Sequence, residues 1–259
     1  MATTSDYLKQ LQADKQVLVD NLVAKGVTAT SAETFTTLVP KVNDIQSGGG
    51  DLSEYFTETI SSGSSSVGGW LNSIKKIPAF KNTGTSCGYM FSESIFSEID
   101  LSEFDTSQVI NMEYMFNKCN VLKKIDVSNF DTSQVTNINR MFYSCTNMKE
   151  LIGINNFDTS KITQLNYVFD NCAYLTNLDL SSWDTSQVTS MTNLFRYCNR
   201  LETLDIRNFD FTNVTTYTNT FLGIKADCLI IVKDDTAKEW ITSKFTTLTN
   251  VKTVAELVS

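Results

Sequence analysis

A motif that returns every 26 residues governs what this chain can fold into. Phe104-Asp105-Thr106-Ser107, Phe130-Asp131-Thr132-Ser133, Phe157-Asp158-Thr159-Ser160 and Trp183-Asp184-Thr185-Ser186 begin 26, 27 and 26 residues apart, and a degenerate copy opens 26 further on at Phe209-Asp210. The one extra residue falls near Gly153. A unit this short cannot bury its own apolar face, so the copies must stack and share a continuous core. Comparing the copies shows which offsets face inward. Phe116, Phe142, Phe169, Phe195 and Phe221 form one column, extended backwards by Phe91, and Val109, Val135, Ile162, Val188 and Val214 form another. Cys119, Cys145, Cys172 and Cys198 share a third, and Leu122, Met148, Leu175 and Leu201 a fourth.

The hydrophobic period changes inside each copy. Met191, Leu194, Phe195 and Cys198 lie at i, i+3, i+4 and i+7, which predicts a short helix. Leu204-Asp205-Ile206 alternates in, out, in, which predicts a short strand. Asp184-Thr185-Ser186 supplies turn and helix-capping chemistry, because short oxygen side chains accept from backbone N–H groups. The expected fold is an α+β repeat, a leucine-rich-repeat solenoid of about six coils with one short strand and one short helix in each. Its parallel sheet would run roughly 25 to 30 Å, with the helices on the opposite face.

The string from Phe130 to Leu151, FDTSQVTNINRMFYSCTNMKEL, resembles the bacterial surface-protein 26-residue repeat, the BspA-like branch of the leucine-rich repeats. The resemblance covers roughly residues 77 to 232. It implies a right-handed solenoid used for adhesion and recognition rather than catalysis, in proteins that are secreted or wall-anchored. The sequence departs from that pattern: no basic start or apolar segment for export is readable after Met1, and Ala255 to Ser259 is not a wall-sorting motif.

Composition narrows the chemistry. The 259 residues include 29 acidic and 21 basic ones, for a net charge of −8, and no histidine. An acidic balance argues against phosphate tracking and against binding to anionic membranes. Zero histidine removes Ser-His-Asp and Cys-His catalysis and histidine metal sites. Apolar runs reach about five residues, as in Cys228 to Val232, against the roughly 20 that span a bilayer. Six cysteines without C-x-x-C spacing do not suit zinc, so the ladder reads as buried free thiols. Asp105, Asp131, Asp158, Asp184 and Asp210 stand before turn residues and read as local acceptors rather than calcium ligands. No catalytic, cofactor-binding or metal-binding residues are assigned, and an enzyme is not expected.

The flanks divide the chain further. Residues 1–46 are expected to form a helical hairpin for attachment and oligomerisation, with Leu8, Leu11, Leu18 and Leu22 as the assembly seam. Residues 47–50 form a Gly-rich linker, 51–78 a β cap, 79–232 the solenoid and 233–259 a C-terminal cap. Within that cap a helix is predicted over Thr236 to Phe245, opened by a Thr236…Glu239 capping box. The segments Tyr7 to Leu22 and Glu33 to Val42 resemble the N-terminal part of tail-associated structural proteins from phages of Gram-positive bacteria. That resemblance implies docking onto a phage tail or baseplate protein.

The candidate partner-binding surface is the outward sheet face: Lys124, Asp126, Glu150, Asn177, Asp179, Thr203 and Asp205. A second candidate is the exposed helix face of Tyr114, Arg140 and Tyr167, an offset that varies between copies. The expectation is a non-enzymatic, homo-oligomeric virion protein that displays its solenoid to a host-surface glycan or protein, with no nucleic acid and no membrane insertion. The alternative is an adhesin or interaction protein at the bacterial cell surface.

Overall fold

In the computed structural model, residues 85–94, 96–102 and 104–258 are described, together with 19, 20 and 30. The repeats form a β-solenoid, and the three-residue strands pair in parallel from coil to coil. β1 (Lys124–Asp126) pairs with β2 (Glu150–Ile152) in register Ile125 to Leu151. β3 (Asn177–Asp179), β4 (Thr203–Asp205), β5 (Leu229–Val232) and β6 (Val251–Thr253) make a second, four-stranded sheet in that order. The inward residues Ile125, Leu178 and Leu204 are buried, as the alternation requires, and Leu151 of β2 is partly buried against the same core.

The predicted helices are absent from the repeat; each of those segments is a run of overlapping turns. Met115, Asn117 and Cys119 donate to the carbonyls of Met112, Tyr114 and Phe116 in their own coil. The alternate N–H groups, those of Met112, Tyr114, Phe116 and Lys118, leave the coil. They donate to Asn137, Asn139, Met141 and Tyr143 of the next one at 2.6 to 3.0 Å. An α-helix would direct every such N–H to a carbonyl four residues back, so a helix and this stacking exclude each other. The turns require positive φ at two residues per coil, such as Tyr114 (58°) and Lys118 (55°). The apolar spacing is the same in both arrangements, since Met112, Met115, Phe116 and Cys119 are all fully buried.

The core is a set of side-chain ladders. Phe91, Phe116, Phe142, Phe169, Phe195 and Phe221 stack with ring centroids 5.3 to 5.9 Å apart, and burial of each ring is worth roughly 2 to 3 kcal/mol. The four ladder cysteines are free and buried, as expected, and so are Cys87 and Cys228. The thiol of Cys119 donates to the carbonyl of Phe91, and those of Cys145, Cys172 and Cys198 donate to Phe116, Phe142 and Phe169, at 3.0 to 3.2 Å. A small apolar donor is what that column needs, and cysteine is one.

The Phe-Asp-Thr-Ser corner follows the same logic. Phe104 and Phe130 are buried; the Asp131 and Asp158 carboxylates accept from the N–H two residues on, at 3.0 Å, closing Asx turns. The buried Thr106, Thr159 and Thr185 hydroxyls donate to the Asp131, Asp184 and Asp210 carbonyls of the following coil at 2.9 to 3.1 Å. Turn chemistry is therefore present where it was expected, but no helix follows it.

The extra residue has a definite place. Gly153, at φ 79°, precedes a 3-10 turn over Ile154–Asn156, and a Cβ there would lie 2.3 Å from the Ser128 Cα. At this coil the strand ladder stops, so β2 and β3 belong to separate sheets. The second row of parallel bridges is also interrupted: Ser86, Asn111 and Asn137 form one run, and Gln164, Ser190 and Thr216 another. The turn ribbon crosses the gap with three bonds where the preceding junction has four, Arg140, Phe142 and Ser144 donating to Asn166, Val168 and Asp170.

At the C-terminal end the repeat changes where it meets its cap. The Thr column becomes Phe211 and the Met112/Ile138/Leu165/Met191 column becomes Tyr217. Both rings pack on Trp240 of α1 (Asp235–Lys244), Phe211 stacked at 4.3 Å and Tyr217 edge-on at 5.2 Å. The N-cap of α1 is Asp234, accepting from Ala237 N–H at 3.0 Å, so the Thr236…Glu239 box is not the one used. The capping box lies instead at Thr253 and Glu256, opening α2 (Val254–Leu257). The seam Leu8, Leu11, Leu18 and Leu22, the linker and the N-terminal β cap lie outside the described residues.

Candidate functional site

The strands place the predicted sheet-face residues in two groups rather than one row. Lys124 and Glu150 are directly paired across β1 and β2, exposed, with Nζ to Oε2 at 3.1 Å. Asp126 lies opposite Ile152, an exposed apolar residue at the offset where other copies carry aspartate. Asn177 and Asp179 lie opposite Thr203 and Asp205 on the second sheet. The interruption after β2 keeps Glu150 and Asn177 from pairing. Asp205 keeps the outward register of Asp179 but is covered rather than open: it is 8 % exposed, and Arg207 Nε reaches its Oδ1 at 3.0 Å. The Asp126 and Asp179 carboxylates each accept a backbone N–H two residues on at 2.9 Å. The Ser128 side chain and N–H hold Asp126 below the ordinary carboxylate value.

The predicted helix-face residues come together differently. Tyr114, Arg140 and Tyr167 all have positive φ and are only half-buried. They stack on each other: Tyr89 lies on Tyr114 at 4.4 Å, and the Arg140 guanidinium sits 5.2 Å from the Tyr114 ring and 4.2 Å from that of Tyr167. The ring faces are thus engaged within the ribbon, each cation–π contact worth about 0.5 to 1 kcal/mol at such a surface. Variation at this offset reflects alternation of stacking partners, not open exposure. Asn193, the next residue in the column, is buried.

Sequence reasoning missed the neighbouring column. Asp170 is fully buried and takes a bidentate contact from Arg196 of the next coil, Nε to Oδ1 at 3.0 Å and Nη2 to Oδ2 at 2.7 Å. Burial raises the Asp170 carboxyl, with Arg196 acting in the opposite direction. Arg200 lies 3.9 Å from the Tyr174 ring and Glu93 pairs with Lys118 at 2.8 Å. Alternating Tyr, Arg and Asp at a 26-residue spacing was the available signal.

The remaining titratable groups have structural neighbours. Side-chain and backbone hydrogen bonds from Ser133, Ser160 and Thr212 lower Asp131, Asp158 and Asp210. Burial raises the thiols of Cys145, Cys172 and Cys198, and that of Cys228 to about 11. Among the described residues no group of three or more Cys, Asp and Glu is placed to hold a metal ion, and no helix is long and apolar enough to cross a membrane. A cleft of about 510 Å³ lies between the last coil and α1, lined by Asn208, Asp210, Phe211, Lys233, Asp234 and Trp240.

No curated protein matches the chain, and no solved structure does. A family model described as "Mycoplasma protein of unknown function, DUF285" matches residues 81–153 and 149–256, which together are more than half of the chain and contain all of the repeat columns described above. Through that repeat, the chain belongs to the DUF285 family.

Proposed function

We propose that this chain is a non-enzymatic recognition protein of the BspA-like kind, whose solenoid is a rigid display scaffold for a host-surface glycan or protein. The observation that carries the reading is the in-register exposure of side chains on short strands locked coil to coil, as at Lys124 with Glu150 and Asn177 with Thr203. Rigid rows of this kind lower the ordering cost of binding. The engagement of carboxylates in Asx turns and the raised, buried thiols support a structural rather than a reactive role. Six members of the stacked Phe column support about six coils.

On this reading the carrier is a phage tail or tail-like particle, reached through residues 1–46, with several copies per particle supplying avidity. A second setting is the bacterial cell surface; the family model that matches is described by a bacterial protein, not a phage one. Fluorescently labelled full-length chain titrated onto intact Gram-positive cells tests recognition: saturable binding, lost after periodate or protease treatment, is expected, and non-saturable binding overturns it. Immunogold labelling of tail particles from the same source separates the two settings.

A further inference from the structure

One face of the solenoid has no part in the surfaces above. Thr163, Thr189 and Thr215 stand one above another in consecutive coils, all exposed. The Thr189 N–H donates to the Thr163 carbonyl and the Thr215 N–H to that of Thr189, both at 2.9 Å. The hydroxyls repeat the pattern: Thr189 Oγ1 donates to the Thr163 carbonyl at 3.3 Å and Thr215 Oγ1 to the Thr189 carbonyl at 3.2 Å. Each of these two hydroxyls therefore has a fixed rotamer, with its proton directed along the solenoid and its lone pairs left for an incoming donor. Next to them run the parallel-bridged Gln164, Ser190 and Thr216, and on the other side the exposed Lys161, Gln187 and Asn213. Eight of these nine residues are uncharged hydroxyls or amides.

We infer that this Thr163–Thr189–Thr215 face binds an extended, uncharged glycan laid along the solenoid axis. The inference rests on the recognition reading and names its face and ligand class. Three features select that chemistry. The array offers hydroxyls and amides at one strand spacing, about 4.8 Å, and an extended β-linked polysaccharide advances by nearly that distance for each sugar. The adjoining corner carries the exposed Asp158, Asp184 and Asp210, which repel anionic chains and leave neutral ones unaffected. The Thr189 and Thr215 side chains are already held by their hydroxyl bonds, so contacts there add along the polymer with little further entropy lost.

The test uses the full chain, with cello- and chito-oligosaccharides of two to six sugars as probes and a hyaluronan hexasaccharide as the anionic control, followed by calorimetry. Affinity is expected to rise at least tenfold from dimer to hexamer for one neutral series and to be absent for hyaluronan. T163V/T189V/T215V, which keeps shape and β-propensity, is expected to lose at least tenfold for the hexamer; T189V alone serves if the triple variant melts early. Wild-type affinity in either variant, or no binding of any neutral hexasaccharide, overturns the inference. If the triple variant still binds intact cells while K124A/D126A/D179A does not, this face is wrong and the recognition reading stands. If the unmodified chain binds no cells, the recognition reading itself fails.

Discussion

The indole N–H of Trp183 donates to the carbonyl of Ile154 at 2.9 Å, from one coil into the turn that holds the extra residue of the coil before it. The other copies carry Phe in this column, including Phe157, which directly follows the insertion. The insertion turns a carbonyl inward, and the one aromatic side chain with a donor at its edge fills the column at that level. W183F should therefore cost about 1 to 2 kcal/mol, since it removes one of the two donors to the Ile154 carbonyl, leaving only the Phe157 N–H at 3.3 Å, and removes volume. Urea titration should show a lower midpoint at unchanged slope.

The left-handed positions respond in opposite senses. N219G frees an exposed residue at φ 55° from backbone strain and should stabilise by up to about 1 kcal/mol. G153A introduces a Cβ 2.3 Å from the Ser128 Cα at φ 79° and should destabilise by at least about 2 kcal/mol. Thermal melts of both variants check the pair together.

All six thiols should resist Ellman's reagent at pH 8 in the native protein and react together once guanidinium unfolds it, because all six are buried out of the reagent's reach. C145A, which deletes the donor to Phe116, should lower stability by about 1 to 2 kcal/mol. Fast labelling of any cysteine of the ladder in the native state would contradict the stacked core.

Acid should destabilise the fold. Asp126, Asp131, Asp158 and Asp210 have folded values below the ordinary 3.8. Their contribution is complete above the unfolded value and is lost as pH falls through the folded ones. Asp170 is raised and works in the opposite sense, its charge reducing stability as pH rises from 3.8 through its folded value. Glu256, lowered to about 2 by its Lys238 partner, adds to the first group, so five lowered carboxyls against one raised make the net effect a loss below about pH 4. D131N/D158N, whose amide oxygens can still close the Asx turns, should flatten the melting temperature between pH 5 and 3.

The core columns were legible because a repeat compares itself: Phe116, Val109 and Cys119 each recur at fixed offsets, and each is buried. The turn ribbon was not legible as such, because overlapping turns bury positions i, i+3, i+4 and i+7 just as a helix does. Positive φ would have betrayed it had the columns held glycine, yet Gly223 is the lone glycine in them, where the other copies carry Glu93, Lys118, Ser144, Asn171 and Tyr197. β6 escaped because Val251-Lys252-Thr253 lies beyond the last copy, where there is no column to compare. Asp205 looked outward by alternation, and only the local Arg207 reveals that it is covered.

The single inserted residue at Gly153 also sets how the molecule would carry load. Tension along the axis is shared by several bond rows at most coil junctions, but between the second and third Phe-Asp-Thr-Ser copies the strand and bridge rows are interrupted. The turn ribbon then bears the largest share, on one side of the cross-section. A pulled solenoid would gape there on its sheet side and pivot about Arg140, Phe142 and Ser144, giving an otherwise uniform rod one defined place to yield.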